Sequence, residues 1–356
     1  MKKWKNYVKQ FLIILPSCSL FTTLIAQNED DITRFLNAGQ TDASKLVNAY
    51  FTPAVESAAY GMAGGWLTSA KTHKSFGVDI GLSINTAFIP DEEDYFDPNK
   101  LSLSSTTTFS SSASNGLAPT FMGPKIATSY TFSGDLDGNS STAPQSIVVT
   151  GPDGLNIKKS VGVAGVPIPV LQLGIGTIKN TDLKFRFVPE TSFGNSKISM
   201  IGVGIMHDIK QHIPGIKALP FDLSILVAYN NFKGTTNLEN SDPSDPTPDS
   251  PDGEGIYKFN SIVSQLIISK KISVLTVYGG AGYTTVKTDA RINGTYTIAA
   301  TPVQFNVTDP VSINFKNKSA FFLAGIRLKF GPFFLNGNYT LQKYNALSVG
   351  FGFSFL

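Results

Sequence analysis

The sequence has almost no cysteine, few charged residues and few histidines. Cys18 is the one cysteine in 356 residues, which excludes a disulfide framework. Charged residues make up 15% of the chain and the formal net charge is +3, a balance that excludes a strongly basic nucleic-acid-binding protein. After the N-terminal segment, no apolar run reaches the roughly 20 residues of a membrane-spanning helix. If this chain crosses a membrane, it does so with strands.

The sequence is also poor in side chains that perform catalysis. Its three histidines are His73, His207 and His212. The last two are five residues apart, a spacing that does not put them on one face of a helix, and no second cysteine is present to complete a metal site. No G-x-S-x-G motif of a serine hydrolase occurs. We therefore predict that the protein is not an enzyme and uses no metal or cofactor.

The N-terminus has the order of a secretory signal. A basic segment is followed by an apolar run from Phe11 and by small residues up to Ala26. We predict that residues 1–26 are a signal peptide, cleaved after Ala26. The segment Leu15–Cys18 is an alternative cleavage site of the lipoprotein type, which would leave Cys18 lipidated. Both interpretations predict export.

The chain ends on a segment with two different faces. From Ala346 onward, apolar side chains alternate with small or polar ones, which is the period of a β-strand. The apolar face carries Val349, Phe351, Phe353 and Phe355. A membrane barrel turns such a face towards lipid. We predict that these four residues form the assembly signal recognised by the barrel-assembly machinery.

The same alternation recurs along the chain. Residues 76–88 alternate with a single break at Thr86, and this length suits a membrane strand, which needs about 9–11 residues. Other segments assigned as strands from alternation, length or β-branching are 171–176, 182–187, 221–230, 257–270, 272–288, 322–330 and 333–342.

Ten strands are well supported from Lys74 onward, and Ala58–Ala70 would be an eleventh. Further β-like pieces lie at 101–110, 124–132 and 146–149. Because single-chain bacterial barrels have an even number of strands, we predict about 12–14 strands.

Long and short connections alternate along the chain. The long ones lie at about 91–165, 233–255 and 291–312, and the short ones include Gly331-Pro332. Outer-membrane barrels have short periplasmic turns and long outer loops. We therefore predict a barrel over residues 58–356 in the outer membrane, with its C-terminus at the periplasmic side.

Residues 27–57 have the pattern of two short helices. The first would run from Asp30 to Gly39, and the second from Asp42 to Pro53, where proline would end it. We predict that residues 27–57 form a helical plug in or under the barrel. The alternative is a small helical hairpin on the surface.

Charged side chains fall on the polar faces of several predicted strands. Charge inside a barrel can set its preference for solutes. A buried charge network could instead stiffen the wall or hold the plug. The sequence leaves both roles open for these lumen-facing candidates, which are Asp79, Lys184, Arg186, Asp222, Arg327 and Lys329.

Four segments together resemble a domain-of-unknown-function family of exported outer-membrane barrels from Bacteroidota-type bacteria. They are Ala59–Trp66, His207–Asp222, Lys270–Tyr283 and the final S-V-G-F-G-F-S-F. The resemblance implies location and fold, but no activity. More weakly, the chain is similar to outer-membrane long-chain fatty-acid transporters, which have an N-terminal hatch of short helices and a Gly- and Ala-rich stretch before the first strand, as at Ala58–Gly65. That similarity implies hydrophobic solutes and assigns no binding residue.

We predict an all-β protein, an antiparallel transmembrane β-barrel with a short N-terminal helical plug. Its predicted function is that of a passive channel or transporter for small hydrophobic or amphiphilic solutes, with outer-membrane lipid around it and no nucleic acid bound. The alternative is a non-enzymatic structural or partner-binding barrel of a surface or secretion complex. A third interpretation is a secreted, water-soluble β-sandwich.

Overall fold

The computed structural model describes residues 39–110, 116–126, 128–134, 145–162, 164–193, 196–238, 251–300, 303–309 and 311–355. The predicted signal peptide, Cys18 and the predicted helix beginning at Asp30 lie outside these residues. No helix in the described ranges combines the length and the apolar character needed to cross a membrane.

The described residues contain one long helix, α1 (Gly39–Ala63), and one short helix, α2 (Ile157–Val161). Single turns of 3-10 helix lie at Asp91–Glu93, Pro98–Leu101 and Lys210–His212. The strands, in chain order, are β1 (Val78–Phe88), β2 (Tyr95–Phe96), β3 (Thr107–Ser110), β4 (Ala118–Pro119), β5 (Ser129–Gly134), β6 (Gln145–Thr150), β7 (Gly165–Gly176), β8 (Thr181–Phe193), β9 (Ser196–Asp208), β10 (Asp222–Asn237), β11 (Glu254–Ile272), β12 (Leu275–Asn293), β13 (Thr295–Ala300), β14 (Val303–Thr308), β15 (Val311–Phe330), β16 (Phe333–Leu341) and β17 (Ala346–Phe355).

Ten of the described strands close into one antiparallel barrel. Around the wall their order is β1, β17, β16, β15, β12, β11, β10, β9, β8 and β7. The first strand pairs with the last, with Val78 opposite Phe355, and on its other side it pairs with β7, with Val78 opposite Ile175. The predicted fold class, an all-β antiparallel barrel, is confirmed.

The predicted count of about 12–14 wall strands is wrong, because the additional strands pair with one another outside the wall. Strands β3, β5 and β6 form a separate sheet, β2 pairs with β4, and β13 pairs with β14. None of these is longer than six residues, too short to cross a bilayer. The predicted strand at Ala58–Ala70 is also wrong, since α1 continues to Ala63.

An apolar belt surrounds the outside of the barrel. Phe187, Ile201, Phe322 and Phe355 are 55%, 57%, 65% and 52% exposed, although they alternate with buried residues on the lumen side. The predicted assembly residues belong to this belt: Val349, Phe353 and Phe355 are exposed, and Phe351 is partly exposed. A continuous apolar face of this kind suits lipid rather than water. The soluble β-sandwich is therefore wrong, because its apolar faces would pack against a second layer.

Long connections cluster at one end of the barrel, here called the outer end. They span residues 89–164, 238–253 and 294–310, whereas the opposite, inner end has the turns at 177–180, 273–274 and 331–332 and the connection at 209–221. The alternation is incomplete, since the hairpin between Phe193 and Ser196 and the turn from Gln342 to Asn345 are short connections at the outer end.

Helix α1 enters the lumen from the outer end, and the segment after it, residues 64–77, continues to the inner end. Near its start, the Asp42 carboxylate accepts hydrogen bonds from Ser104 and Thr107 of the first outer connection, at 2.5 and 2.7 Å. Beyond its end, the Ala70 N–H donates to Ser269, 3.0 Å away, near the inner turns. The described part of the predicted plug, residues 39–57, thus belongs to one helix, α1, which lies against the inside of the barrel wall. The prediction that a second helix would end at Pro53 is wrong, because proline is accommodated within α1.

Asp42 remains charged at the outer start of α1. Burial opposes its ionisation, but hydrogen bonds from Ser104 and Thr107 and the charge of Lys45 outweigh it and hold the pKa of Asp42 below its ordinary value. An acidic residue in the first turn also interacts favourably with the positive end of the helix dipole. This carboxylate therefore fixes the helix start to the outer connection.

The direction of α1 predicts where the residue before it lies. An epitope inserted between Ala38 and Gly39 should be reached by antibody from the same side of the membrane as one inserted before Gly294. An epitope inserted after Gly331 should be reached only from the other side. Labelling of intact and permeabilised cells measures this. The direction of α1 through the barrel is contradicted if the Ala38 epitope is reached from the same side of the membrane as the Gly331 epitope.

Candidate functional site

Helix α1 lies against one side of the lumen, the wall formed by β1 and β7. The Ser57 hydroxyl donates to the Ala87 carbonyl at 2.5 Å and accepts the Val166 N–H at 2.9 Å, so it bridges the outer ends of these strands. One turn later, a Cβ on Gly61 would lie 3.2 Å from the Asn85 carbonyl oxygen. Small residues on this helix face permit the close approach. The helix is therefore off-centre, and the space in the lumen lies on its other side.

That space is an apolar cavity, here called the outer chamber. Its empty volume, including its mouth, is about 1040 Å³. One face of α1 lines it with Val47, Phe51, Ala54, Val55 and Ala58, whose spacing follows the helical repeat. The opposite side is formed by lumen-facing residues of five strands: Ile198, Phe232, Tyr257, Phe259, Ala290, Ile292, Val311 and Ile313.

The outer chamber lies beyond the apolar belt. Strands β11, β12 and β15 have 19, 19 and 20 residues, about twice the length that crosses a bilayer. Outward positions on their outer halves carry the exposed residues Lys258, Lys287 and Lys318 instead of apolar side chains. An open channel has a polar, water-filled interior. Here the outer half of the lumen is apolar and suits a hydrophobic ligand.

A second, smaller cavity lies deeper in the lumen, on the same side of the plug. Residues of β11, β12 and β15 line it, as they line the outer chamber. Its lining includes Gln265, Thr284, Asn338 and Thr340, so it is more polar than the outer chamber. The character of the lumen thus changes from apolar to polar from the outer end inward.

Buried Arg186 holds the C-terminal end of α1. Its Nη1 donates to the Met62 carbonyl at 3.1 Å, its Nη2 to the Gly64 carbonyl at 2.8 Å, and its Nε to Gln172 Oε1 at 2.9 Å. The guanidinium carbon lies 3.9 Å from the centre of the Trp66 ring. A cation at this end of a helix interacts favourably with the helix dipole and satisfies carbonyls that have no partner within the helix. Arg186 therefore joins the wall to the plug.

The chain leaves α1 through Gly65. Its φ is +71°, in the left-handed region, and a Cβ at this position would collide with the side-chain amide of Asn85. Only glycine combines this conformation with so close an approach to the wall. The Gln172 side chain donates to the Trp66 carbonyl at 3.1 Å and fixes the segment that follows.

A charge network at the inner end holds the segment between α1 and β1. His73 Nε2 lies 3.0 Å from Asp79, and His73 Nδ1 lies 2.8 Å from Asp182. Arg327 Nη1 is 3.1 Å from Asp79 and 3.0 Å from the Thr68 hydroxyl. Burial lowers the pKa of His73, but the hydrogen bonds and charges of Asp182 and Asp79 outweigh burial and raise it above the ordinary 6.5.

The turn at 342–345 provides a further contact for α1. Glu56 pairs with Lys343, and the Tyr60 ring stacks on Tyr344 with centres 5.5 Å apart. The Tyr344 hydroxyl donates to Glu93 of the first outer connection. Burial, with the neighbouring charge of Glu56, raises the pKa of Tyr60 to about 12, so this phenol is neutral at physiological pH. The turn thereby ties the plug to the outer connection.

The structure places the predicted charged residues in two groups. Asp79, Arg186 and Arg327 contact the plug or the segment after it, which fits the network role rather than a role in choosing solutes. The others are at the wall: Lys184 is buried, Lys329 bonds Ser354 at 2.7 Å, and Asp222 is partly exposed at the inner end of β10. Their part in solute preference stays a prediction.

Three residues that matter here were not predicted. Ser57 is one serine in a helix, Gln172 is one polar residue in a strand, and His73 is one of three histidines that were weighed only for catalysis and metal binding. The tertiary partners of these residues determine their roles, and no sequence pattern marks those partners. The apolar strand extensions were visible as strand length, but their enclosure of a chamber was not.

His207 and His212 lie next to each other, although they share no helix face. Their Nε2 atoms are 2.9 Å apart, because one ends β9 and the other lies in the 3-10 turn that follows. The ring centres are 5.2 Å apart, so the two nitrogens face each other along the line between the rings. This is the geometry of an N–H···N hydrogen bond rather than of two ligands converging on a metal.

Residues 1–355 match the model of a family of unknown function, DUF6588. The chain belongs to this family. Comparison with curated protein sequences gives no significant match. Family membership therefore assigns no activity, and no catalytic family is identified.

Solved structures with some similarity are bacterial barrels. The translocator domain of autotransporter NalP from Neisseria meningitidis is 11% identical, with a TM-score of 0.28 over 80% of this chain and 90% of that one. The beta domain of the Bordetella autotransporter BrkA is 10% identical, with a TM-score of 0.27 over 78% and 100%. The outer-membrane channel DcaP of Acinetobacter baumannii is 12% identical, with a TM-score of 0.16 over 80% and 100%. Because these scores are low, nothing about the function of those proteins transfers to the DUF6588 chain.

Arg186→Met should loosen the plug, because it leaves two carbonyls and Gln172 without their donor. Leaving a buried neutral acceptor without its hydrogen-bond donor typically costs about 1–3 kcal/mol. We expect a lower unfolding midpoint and faster proteolysis between Ala63 and Val78. Arg291→Met is the matched control, since Arg291 is exposed on the outer face. Equal effects of the two substitutions would show that Arg186 does not anchor α1.

The His73 network predicts a pH dependence of stability. The protonated imidazole pairs with Asp79 and Asp182, beside Arg327, and its pKa is higher in the folded protein than the ordinary 6.5. The stabilisation is therefore fully present below about pH 6.5 and is lost as the pH rises through the folded-state pKa. The midpoint temperature of thermal unfolding of His73→Asn should lie furthest below that of the wild type near pH 5. His212→Asn is the control, and a difference that grows with pH contradicts the prediction.

Proposed function

We propose that this DUF6588 protein is an outer-membrane barrel that takes up small hydrophobic or amphiphilic solutes passively, binding them in the outer chamber. The observation that carries this proposal is the apolar lining of the outer chamber, which one face of α1 and five strands form inside the outer end of the barrel. Pockets for small ligands are concave and lined mostly by apolar and aromatic side chains. The chamber therefore accommodates an alkyl chain or a small aromatic molecule.

The apolar belt supports the proposed location in the outer membrane. Ten strands with exposed apolar side chains need a hydrocarbon environment, and closed barrels of this kind span membranes. The outer end, with its long connections, would face the exterior, and Phe355 would lie at the periplasmic side. Membrane lipid would contact the belt, and the barrel-assembly machinery would recognise the final strand.

Binding in the chamber would depend on burial rather than on charge. Lys197 and Arg291 border the chamber, but both occupy outward positions of their strands and are exposed. Burying about 200 Å² of ligand surface at about 25 cal/mol per Å² contributes roughly 5 kcal/mol before the cost of association. This supports moderate affinity and release of the unaltered solute, as passive uptake requires.

Filling the chamber should weaken binding. Ala54→Phe adds a ring where α1 borders the chamber, and we expect about tenfold less labelling by a diazirine derivative of dodecanol, equivalent to about 1.4 kcal/mol. Peptide mapping after photolysis should place the label near Phe51 and Phe259 in the wild type. Cells producing the variant should also take up N-phenylnaphthylamine more slowly.

The matched control is Ala320→Phe, which adds the same ring on the lipid-facing side of β15. If the chamber of the Ala54→Phe variant is labelled as strongly as that of the wild type, the proposal is contradicted. The alternative function, a structural or partner-binding barrel, gains support if the wild-type protein neither binds the alcohol in the chamber nor speeds probe uptake.

A further inference from the structure

The seam between β7 and β8 is joined over only part of its length. The ladder runs from Gly176 opposite Asp182 to Gln172 opposite Arg186 and then stops. On its other side, β7 remains paired with β1 as far as Gly165. Likewise, β8 remains paired with β9 up to Phe193, with one irregularity. The outer halves of β7 and β8 are therefore strands without a ladder between them.

Three prolines explain why the ladder stops. Gly176 directs its N–H to Gly77, on the β1 side of β7, and alternate residues of a strand direct their N–H groups to opposite neighbours. The odd-numbered positions of β7 therefore face β8, and these include Pro167 and Pro169. By the same register Pro189 of β8 faces β7, opposite Pro169. Proline has no N–H, so these positions cannot extend the ladder.

The open edge is also adapted to remain unpaired. The Thr191 hydroxyl donates to the Pro189 carbonyl at 2.8 Å, which satisfies an acceptor that a ladder would otherwise use. Unpaired backbone groups are costly next to lipid. Replacing N–H donors by proline and satisfying a carbonyl locally reduces that cost. These features suit a seam whose outer half stays unpaired.

The unpaired part of the seam begins at the outer edge of the belt and extends outward beside the outer chamber. Phe187, the first residue of β8 beyond the ladder, is opposite Ile201 of β9, and both are exposed members of the belt. Val166, on the β7 side of the seam, and Ile198, opposite Thr191 on the β8 side, both line the chamber. A solute in the outer leaflet is therefore separated from the chamber by the strands' unpaired outer halves.

We infer that the proline-lined seam between β7 and β8 is the lateral doorway through which hydrophobic solutes exchange between the outer chamber and the outer leaflet. This inference rests on the proposed function, and it adds the route. It also defines the solute class as molecules that partition into the bilayer. Water-soluble solutes gain nothing from such a doorway.

The direct test closes the seam. Pro167→Val/Pro169→Val/Pro189→Val restores three N–H donors facing the gap, and hydrogen exchange should show new protection of β7 and β8. Uptake of N-phenylnaphthylamine should fall towards that of cells lacking the protein, while photolabelling of the chamber in purified protein remains. Pro214→Val/Pro220→Val, in the inner connection, is the control and should leave uptake unchanged.

A reversible tether provides an independent variant. Leu171→Cys/Phe187→Cys places a cross-link just beyond the last ladder pair, and oxidation should slow uptake until a reductant is added. Leu173→Cys/Phe185→Cys joins residues that are already paired, so its oxidation should have no effect. The doorway is overturned if uptake continues unchanged with the seam protected or tethered. Absence of chamber labelling in the wild type would instead contradict the proposed function.

Discussion

The structure depends on a helix enclosed by a barrel whose wall must satisfy the polar ends of that helix. The guanidinium of Arg186, buried in the wall, donates hydrogen bonds to the Met62 and Gly64 carbonyls at the end of α1. It also lies over the ring of Trp66. Two aspartates and a histidine hold the following segment at the inner end. Because these polar contacts are concentrated in the inner half, the outer half of the lumen can be apolar. Anchoring and ligand binding are thereby separated along the barrel axis.

The position of α1 against one wall has a second consequence. Ser57 and Gly61 bring the helix close to β1 and β7, so the free volume lies along β9–β12 and β15. Those strands extend beyond the belt and enclose the outer chamber. The parted seam lies at the outer end of the wall that the helix contacts, where Val166 meets both Ser57 and the chamber. The close packing of α1 against β1 and β7 thus determines where the chamber lies. The seam would connect the chamber to the bilayer.

The sequence predicts much of the wall and little of the interior. Period-two alternation identified the final strand and the belt, since each strand shows its two faces locally. The strand count was overestimated because short segments such as Thr107–Ser110 and Ser129–Gly134 have the same local pattern but pair with each other. Ala58–Ala63 was misassigned because small residues carry no periodic signal. The roles of Arg186 and His73 depend on partners more than 100 residues away in the chain, which no local pattern shows.

The most direct measurement of the central claim is the content of the outer chamber in protein isolated from its own membrane. Cryo-electron microscopy, together with mass spectrometry of extracted small molecules, reports that content without an added probe. The account predicts elongated, non-protein density against Phe51, Tyr257 and Phe259, and a hydrophobic or amphiphilic molecule in the extract. A chamber filled by the protein's own outer connections, or by ordered water alone, would contradict it.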